Sequence, residues 1–244
     1  MTRLSVNVNK VATLRNTRNS GIPSVVKAAR LALQAGAHGI TVHPRPDQRH
    51  IRPHDVHDIA ELLEREFPEA EYNIEGNPFP EYLALVQAVS PCQCTLVPDA
   101  PDAFTSNQGW NLIAQGARLR PLIEILKQHC DRVSLFLDPD PQQVRLAAEL
   151  GADRIELYTE PYAAAHARGE GAKQLPRYVA AAELARDLGL GVNAGHDLNL
   201  DNLPDLVRAI PFLAEVSIGH ALIADALEFG LAETVRRYLA ALRL

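Results

Sequence analysis

Apolar positions in this chain change their spacing at regular intervals. Short runs of Val, Ile and Leu alternate with longer stretches in which apolar residues recur every three or four positions. The short runs predict strands at 4–8, 39–42, 71–74, 93–97, 132–137, 154–157, 191–193 and 215–218. Several look apolar and β-branched on both faces, as strands buried in a parallel sheet require. The helical spacing predicts helices at 24–34, 54–67, 118–129, 140–150 and 175–188, and more than one helix within 224–244. Gly36, Gly151 and Gly189 follow three of these, at the place where a left-handed residue commonly ends a helix. The phrase AGAHGI at 35–40 resembles LGADRI at 150–155, each reading as helix end, tight turn and buried strand. A strand followed by a helix, repeated about eight times, is the pattern of a (β/α)8 TIM barrel with additional short helices. No linker interrupts it, so one domain spanning 1–244 is expected. A doubly wound open sheet is the alternative, but it wants about five or six strands. No Gly-x-Gly-x-x-Gly follows an early strand, so a dinucleotide site is unsupported.

Composition narrows the partners. Lys and Arg total 24 against 30 Asp and Glu, a net charge of −6, which argues against nucleic acid and leaves no polybasic patch for anionic lipid. No apolar run approaches the length of a membrane span, and residues 1–10 lack an apolar signal-peptide core. Three cysteines without a secretion signal fit a reducing compartment, so a cytoplasmic protein is expected.

In a barrel of this kind the functional face is built from the C-terminal ends of the strands and the loops after them. Almost every predicted strand delivers a polar or ionisable group there. Strand one leads to Asn7, Asn9 and Lys10, strand two to His43, Arg45, Arg49 and His50, and strand three to Glu75. A long polar loop, 98–108, carries Thr105 after strand four, and strand five leads to Asp138. Strand six contains Glu156, strand seven runs into Gly195-His196, and strand eight into Gly219-His220. A scaffold without chemistry has no use for this row. Histidines titrating near neutrality beside partly buried carboxyls suit general acid–base catalysis. Gly219-His220 opens a helix whose N-terminal amides favour an anion, and Gly195 can add another amide. Lys10, Arg15, Arg18, Arg45, Arg49 and His50 gather cations near strands one and two, fit to hold dianions. A metal is not expected: no His-x-His follows strand one, and His50, His54 and His57 have rim or helix spacing.

These residues carry a resemblance. The chain is similar to the pyridoxine 5′-phosphate synthase family over residues 5–18 (SVNVNKVATLRNTR), 39–51 (GITVHPRPDQRHI), 72–75 (YNIE), 96–98 (LVP), 132–137 (RVSLFL), 154–159 (RIELYT), 192–196 (VNAGH) and 217–222 (SIGHAL). The stretches touch all eight predicted strands in order. The resemblance implies a barrel assembled as a homo-octamer, acting without metal or organic cofactor. It implies two small phosphorylated substrates, 3-amino-2-oxopropyl phosphate and 1-deoxy-D-xylulose 5-phosphate, converted to pyridoxine 5′-phosphate, inorganic phosphate and water. By position, His43 and Glu75 would be proton acceptors, His196 a proton donor and Glu156 a transition-state stabiliser. Asn7, Arg18, Gly219 and His220 would hold the aminoketone phosphate. Arg45, His50 and Thr105 would hold the deoxyxylulose phosphate, which the Lys10 cation also suits, with Asn9 and Asp197 contributing at the substrate site. The loop bearing Thr105 would close as a lid. Many relatives have Asp-His at Asn9-Lys10, and glycine at Asp197. Asn9 cannot act as a base, and Asp197 suits a phosphate only through its backbone N–H. Two other readings stay open on the residues themselves: a phosphosugar epimerase or isomerase, and a non-catalytic phosphometabolite-binding module.

Overall fold

The computed structural model describes residues 1–101 and 105–243; residues 102–104 of the expected lid lie outside the described residues. Strands β1 (Arg3–Asn7), β2 (Gly39–Val42), β3 (Glu71–Gly76), β4 (Gln93–Leu96), β5 (Arg132–Leu137), β6 (Arg154–Tyr158), β7 (Gly191–Gly195) and β8 (Glu215–Ile218) form a closed barrel in sequence order. All pairs are parallel, and β8 pairs back onto β1 with Arg3 opposite Glu215. That closure removes the open-sheet alternative. Helices α1 (Asn9–Asn16), α2 (Val25–Gln34), α3 (Pro53–Glu66), α4 (Pro80–Val89), α5 (Leu112–Leu126), α6 (Pro141–Glu149), α7 (Glu160–Ala167), α8 (Gly171–Asp187), α9 (Leu203–Ala209), α10 (His220–Phe229) and α11 (Leu231–Ala241) complete the described elements.

Local signals set several boundaries. Ser24 accepts the Lys27 N–H and starts α2, and Gly36 at φ +104° follows its end. Helix α5 begins well before the expected 118, because the Asn111 side chain accepts the Ala114 N–H and caps it there. Helices α1, α4, α7 and α9 were not legible. α1 is largely polar and α9 is only seven residues long, so neither shows a clear apolar stripe.

The barrel wall differs from the expectation of strands apolar on both faces. Outward positions are apolar: Val6, Ile40, Ile74, Leu96, Leu135, Ile155 and Val216 are fully buried beneath the helices. Inward positions are mostly polar, with Phe136 and Tyr158 the apolar exceptions near the mouth, and contacts between strands that are not neighbours show polar groups meeting across the interior. Gln93 of β4 reaches Glu215 of β8 at 3.5 Å and accepts from Asn193 of β7 at 3.3 Å. Arg3, Arg132 and Glu71 form a linked ion-pair cluster lower in the barrel, and Arg154 lies 3.5 Å from Glu215. Most buried polar groups need hydrogen-bond partners, and here many of the partners come from other strands. The polar interior leads to the groups at the barrel mouth.

Candidate active site

The C-terminal strand ends bring together four titratable groups. Glu75 of β3 lies at the mouth, accepting weakly from the Ser217 hydroxyl at 3.4 Å and from Asn7 Nδ2 at 3.5 Å. Enclosure by protein, with Asp99 and Glu215 adding negative charge, pushes its carboxyl up to about 8. Glu156 of β6 is buried, and its Oε2 has no hydrogen-bond partner among the described residues. Burial first, then the nearby Glu75 and Glu215, holds it well above the usual carboxylate range. Two carboxyls therefore keep protons near neutrality, where exposed ones would not.

The imidazoles are moved the other way. His43, at the exit of β2, is pushed well below its ordinary value by burial and by Arg45, His50, His196 and Arg49 around it. His50 stands 5.9 Å from His43, centroid to centroid, and is lowered to about 4 by burial, Arg45 and Lys10. Its Nδ1 accepts the Ile51 N–H at 2.9 Å, so the neutral ring carries its proton on Nε2. His196 is seated among Phe136 and Tyr158, with ring centroids 5.4 and 5.3 Å away. Burial lowers it, opposed by Asp197 and Asp99 and assisted by Lys10 and Arg45. Two imidazoles held neutral and two carboxyls held protonated are arranged for proton exchange in both directions.

The predicted anion-holding residues divide. Gly219 caps α10 without a side-chain hydrogen bond, and no acidic residue occupies the first turn, so the amides starting at His220 are open. A Cβ on Gly219 would come within 3.1 Å of the Asn7 side chain, so glycine is what lets the helix end approach Asn7. Asn9 Oδ1 accepts the His43 backbone N–H at 2.9 Å, and the Asn9 N–H donates to Asn7 Oδ1 at 2.9 Å. An asparagine performs this as well as an aspartate would. Arg45 is buried and ion-paired with Asp99, whose carboxylate also accepts from Ser106 at 2.6 Å. Lys10 is exposed but close enough to lower both His50 and His196. Thr105 and Arg18 are exposed, and Arg18 makes no side-chain hydrogen bond or ion pair among the described residues.

Some of the expected cation cluster is occupied by structure. Arg15 is buried in a bidentate pair with Asp55, Nη2 lying 2.9 Å from Oδ2. Arg49 pairs with Asp47, Nε to Oδ2 at 2.6 Å. Asp138 accepts the Gly109 N–H at 3.0 Å and ties down the loop before α5. Asp99 and Ser217 were missed. Asp99 follows Val97-Pro98 directly after β4 and could have been taken as a strand-end carboxylate; Ser217 needs the inward phase of β8. A cavity of about 390 Å³ opens beside the mouth, lined by His43, Arg45, Asn77 and Asp99 and walled by Phe79 and Tyr82. Among the described residues no three His, Cys, Asp or Glu side chains group to hold a metal, and no helix is long and apolar enough to cross a membrane.

Comparison with known proteins adds a second line of evidence. Residues 4–244 match the family described as pyridoxal phosphate biosynthesis protein PdxJ. A pyridoxine 5′-phosphate synthase of Albidiferax ferrireducens is 57% identical over 243 residues, covering 98% of this chain and 96% of the relative. The enzyme of the same name from Cytophaga hutchinsonii is 52% identical over 244 residues, covering 100% of both. Among solved structures, a tryptophan synthase of M. tuberculosis superposes with a TM-score of 0.68 at 11% identity, covering 99% of this chain and 94% of that one. Phosphoribosyl anthranilate isomerase from Thermus thermophilus gives 0.58 at 16% identity, covering 99% and 98%. At such identities the structural matches speak for the barrel alone.

Proposed function

The chain belongs to the PdxJ family of pyridoxal phosphate biosynthesis proteins, and from that premise we propose that it is a pyridoxine 5′-phosphate synthase whose chemistry runs at the barrel mouth. The substrates are 3-amino-2-oxopropyl phosphate and 1-deoxy-D-xylulose 5-phosphate; the products are pyridoxine 5′-phosphate, phosphate and water. The carrying observation is the convergence of His43, Glu75, Glu156 and His196, two imidazoles held neutral and two carboxyls held protonated.

The amine of one substrate condenses with a ketone of the other, and water leaves as the imine forms. A carbon–carbon bond then closes the ring, phosphate departs, and loss of a last proton makes the ring aromatic. Each stage moves a proton at a different carbon or oxygen, so several groups on different strands are needed, each contributing roughly 10²–10⁴-fold. His43, neutral, accepts a proton. Glu75, poised to titrate near pH 8, gives or takes one with little cost. Glu156 donates a hydrogen bond from its protonated carboxyl. His196 serves as acid once incoming dianions raise its basicity. The α10 N-terminus, Gly219, His220 and Asn7 cradle the phosphate that the product keeps. Arg45, His50 and Lys10 hold the phosphate that is lost, Arg45 exchanging part of its pairing with Asp99 for the ligand. Asn9 positions His43, and the loop bearing Thr105 shields the imine from water.

Exposed Leu14 on α1 and Leu227 on α10, helices that touch one another, and Ile22 in the segment before α2 give apolar surface for a homo-octamer to cover. The net charge of −6 argues against a nucleic-acid partner, and the three cysteines fit a reducing, cytoplasmic compartment.

The reading is tested by mixing purified protein with both substrates in the presence of chelator and following phosphate release and product mass. Pyridoxine 5′-phosphate appearing with equimolar phosphate supports it; binding of either substrate without product would refute it. A narrower expectation concerns Gly219→Ala. Pressing a methyl group against Asn7 should raise KM for the aminoketone phosphate roughly tenfold, about 1.4 kcal/mol, leaving KM for the other substrate unchanged. Equal changes in both would place the phosphate elsewhere.

A further inference from the structure

His196 needs its direction fixed, and the backbone that carries it is unusual. β7 leaves the barrel through a turn in which His196 (φ +86°) and Asp197 (φ +56°) are both left-handed. Neither is glycine, and a Cβ disfavours this region, so neighbours must hold the turn in place.

Thr159 does so from the exit of β6. It is fully buried. Its Oγ1 lies 2.6 Å from the carbonyl oxygens of both Gly195 and His196, and its N–H donates to the Gly195 carbonyl at 2.9 Å. The position is the N-cap of α7, where a threonine ordinarily turns its hydroxyl forward to accept from the first turn of its own helix. Here the side chain makes no cap hydrogen bond; the hydroxyl is turned back across the mouth to the neighbouring strand. A second hold comes from Asn202, also buried, whose Nδ2 donates to the Asp197 carbonyl at 3.1 Å and whose own carbonyl accepts from Tyr162 at 2.7 Å. Tyr158, next to Thr159 in sequence, flanks the His196 ring at 5.3 Å. One strand end thus fixes both the ring and the backbone beneath it.

We propose that Thr159 is a positioning residue for the reaction: its hydroxyl locks the left-handed exit of β7 so that the His196 imidazole stays aimed at the reacting atoms. This rests on the reading of His196 as an acid–base group. Without the hydroxyl the turn can relax toward ordinary dihedrals, and the ring swings with it.

Thr159→Val keeps the branched shape and removes the donor, while Thr159→Ser restores it. The Val variant should lose roughly 10- to 100-fold in kcat, the usual consequence of about 1 Å of misplacement. KM for each substrate should stay within about threefold, and Ser should recover most of the loss. Removing the donor from two buried carbonyls should lower the melting midpoint by about 2–10 °C. In protein labelled with 13C-histidine, the His196 resonance, assigned by its loss in His196→Gln, should broaden or split in the Val variant and sharpen again in Ser. Wild-type kcat with an unchanged resonance in Thr159→Val would overturn the proposal, as would reduced stability with neither quantity altered. If the Val variant does not fold, Thr159→Ala, which removes the hydroxyl without pressing a methyl group against the two carbonyls, is read by the same resonance, and an unchanged signal there also overturns it. Should the wild-type protein make no pyridoxine 5′-phosphate, the reading of the site fails, yet the resonance comparison still judges whether Thr159 holds His196.

Discussion

Replacing Glu75 by Gln is expected to remove turnover while making the protein more stable. The amide keeps the shape and can keep the contacts to Ser217 and Asn7, but it cannot exchange a proton, so kcat should fall by roughly 10²–10⁴-fold with substrate binding largely preserved. The stability gain follows from linkage. Enclosure raises the Glu75 carboxyl from 4.5 in the unfolded chain to about 8 in the folded protein. Below the unfolded value both states carry the proton and nothing is lost. Between about 4.5 and 8 the unfolded chain releases a proton that the folded protein retains, so wild-type stability declines as pH rises through that window. Above about 8 the penalty is complete. Glu75→Gln lacks this slope, and near neutrality it should be more stable by about 2 kcal/mol, after allowance for water reaching the mouth. Urea midpoints at acid and mildly alkaline pH test this directly: the two proteins should converge in acid and separate in alkali. A variant equal to wild type in turnover, or less stable at alkaline pH, would show that Glu75 is an ordinary paired carboxylate. Full activity would also favour a binding module over an enzyme.

Gly195→Ala should be nearly as damaging to turnover, for a steric reason. A Cβ at this position would stand 2.2 Å from Glu156 Oε1, which no side chain can tolerate. The neighbour that must yield is the end of a flexible side chain, so the barrel should survive and Glu156 should be turned out of place. We expect kcat to drop roughly 10²-fold or more, the scale on which misplaced groups cost an enzyme. The double variant Gly195→Ala/Glu156→Gln separates this from a general disturbance. If the methyl group acts through Glu156, the double variant should be little worse than either single one, because both remove the same interaction. Additive losses would mean that Gly195 serves the reaction by another route, such as an amide offered to substrate.

Much of this protein was legible along the chain. The alternation of short apolar runs with stretches of period-3.6 spacing located all eight strands, because both signals are local properties that each segment carries by itself. Gly36, Gly151 and Gly189, at φ +104°, +83° and +81°, marked helix ends for the same reason. Once a parallel barrel is accepted, its geometry sends strand-end side chains to the mouth, so His43, Glu75, Glu156 and His196 stand among the polar residues that position puts there, while their separate roles came only with the family resemblance. What the sequence could not decide was which polar groups would find each other. Arg15 and Asp55 are 40 residues apart and cancel; Arg45 and Asp99 are 54 apart. Both pairs looked like free charges in a linear reading. Ser217 reaches Glu75 across a separation of 142 residues. The proton affinities of Glu75 and Glu156 likewise belong to no segment, since they arise from enclosure and from charges on other strands. Spacing is written locally, whereas pairing and desolvation act through space, and only closure of the barrel brings those partners together.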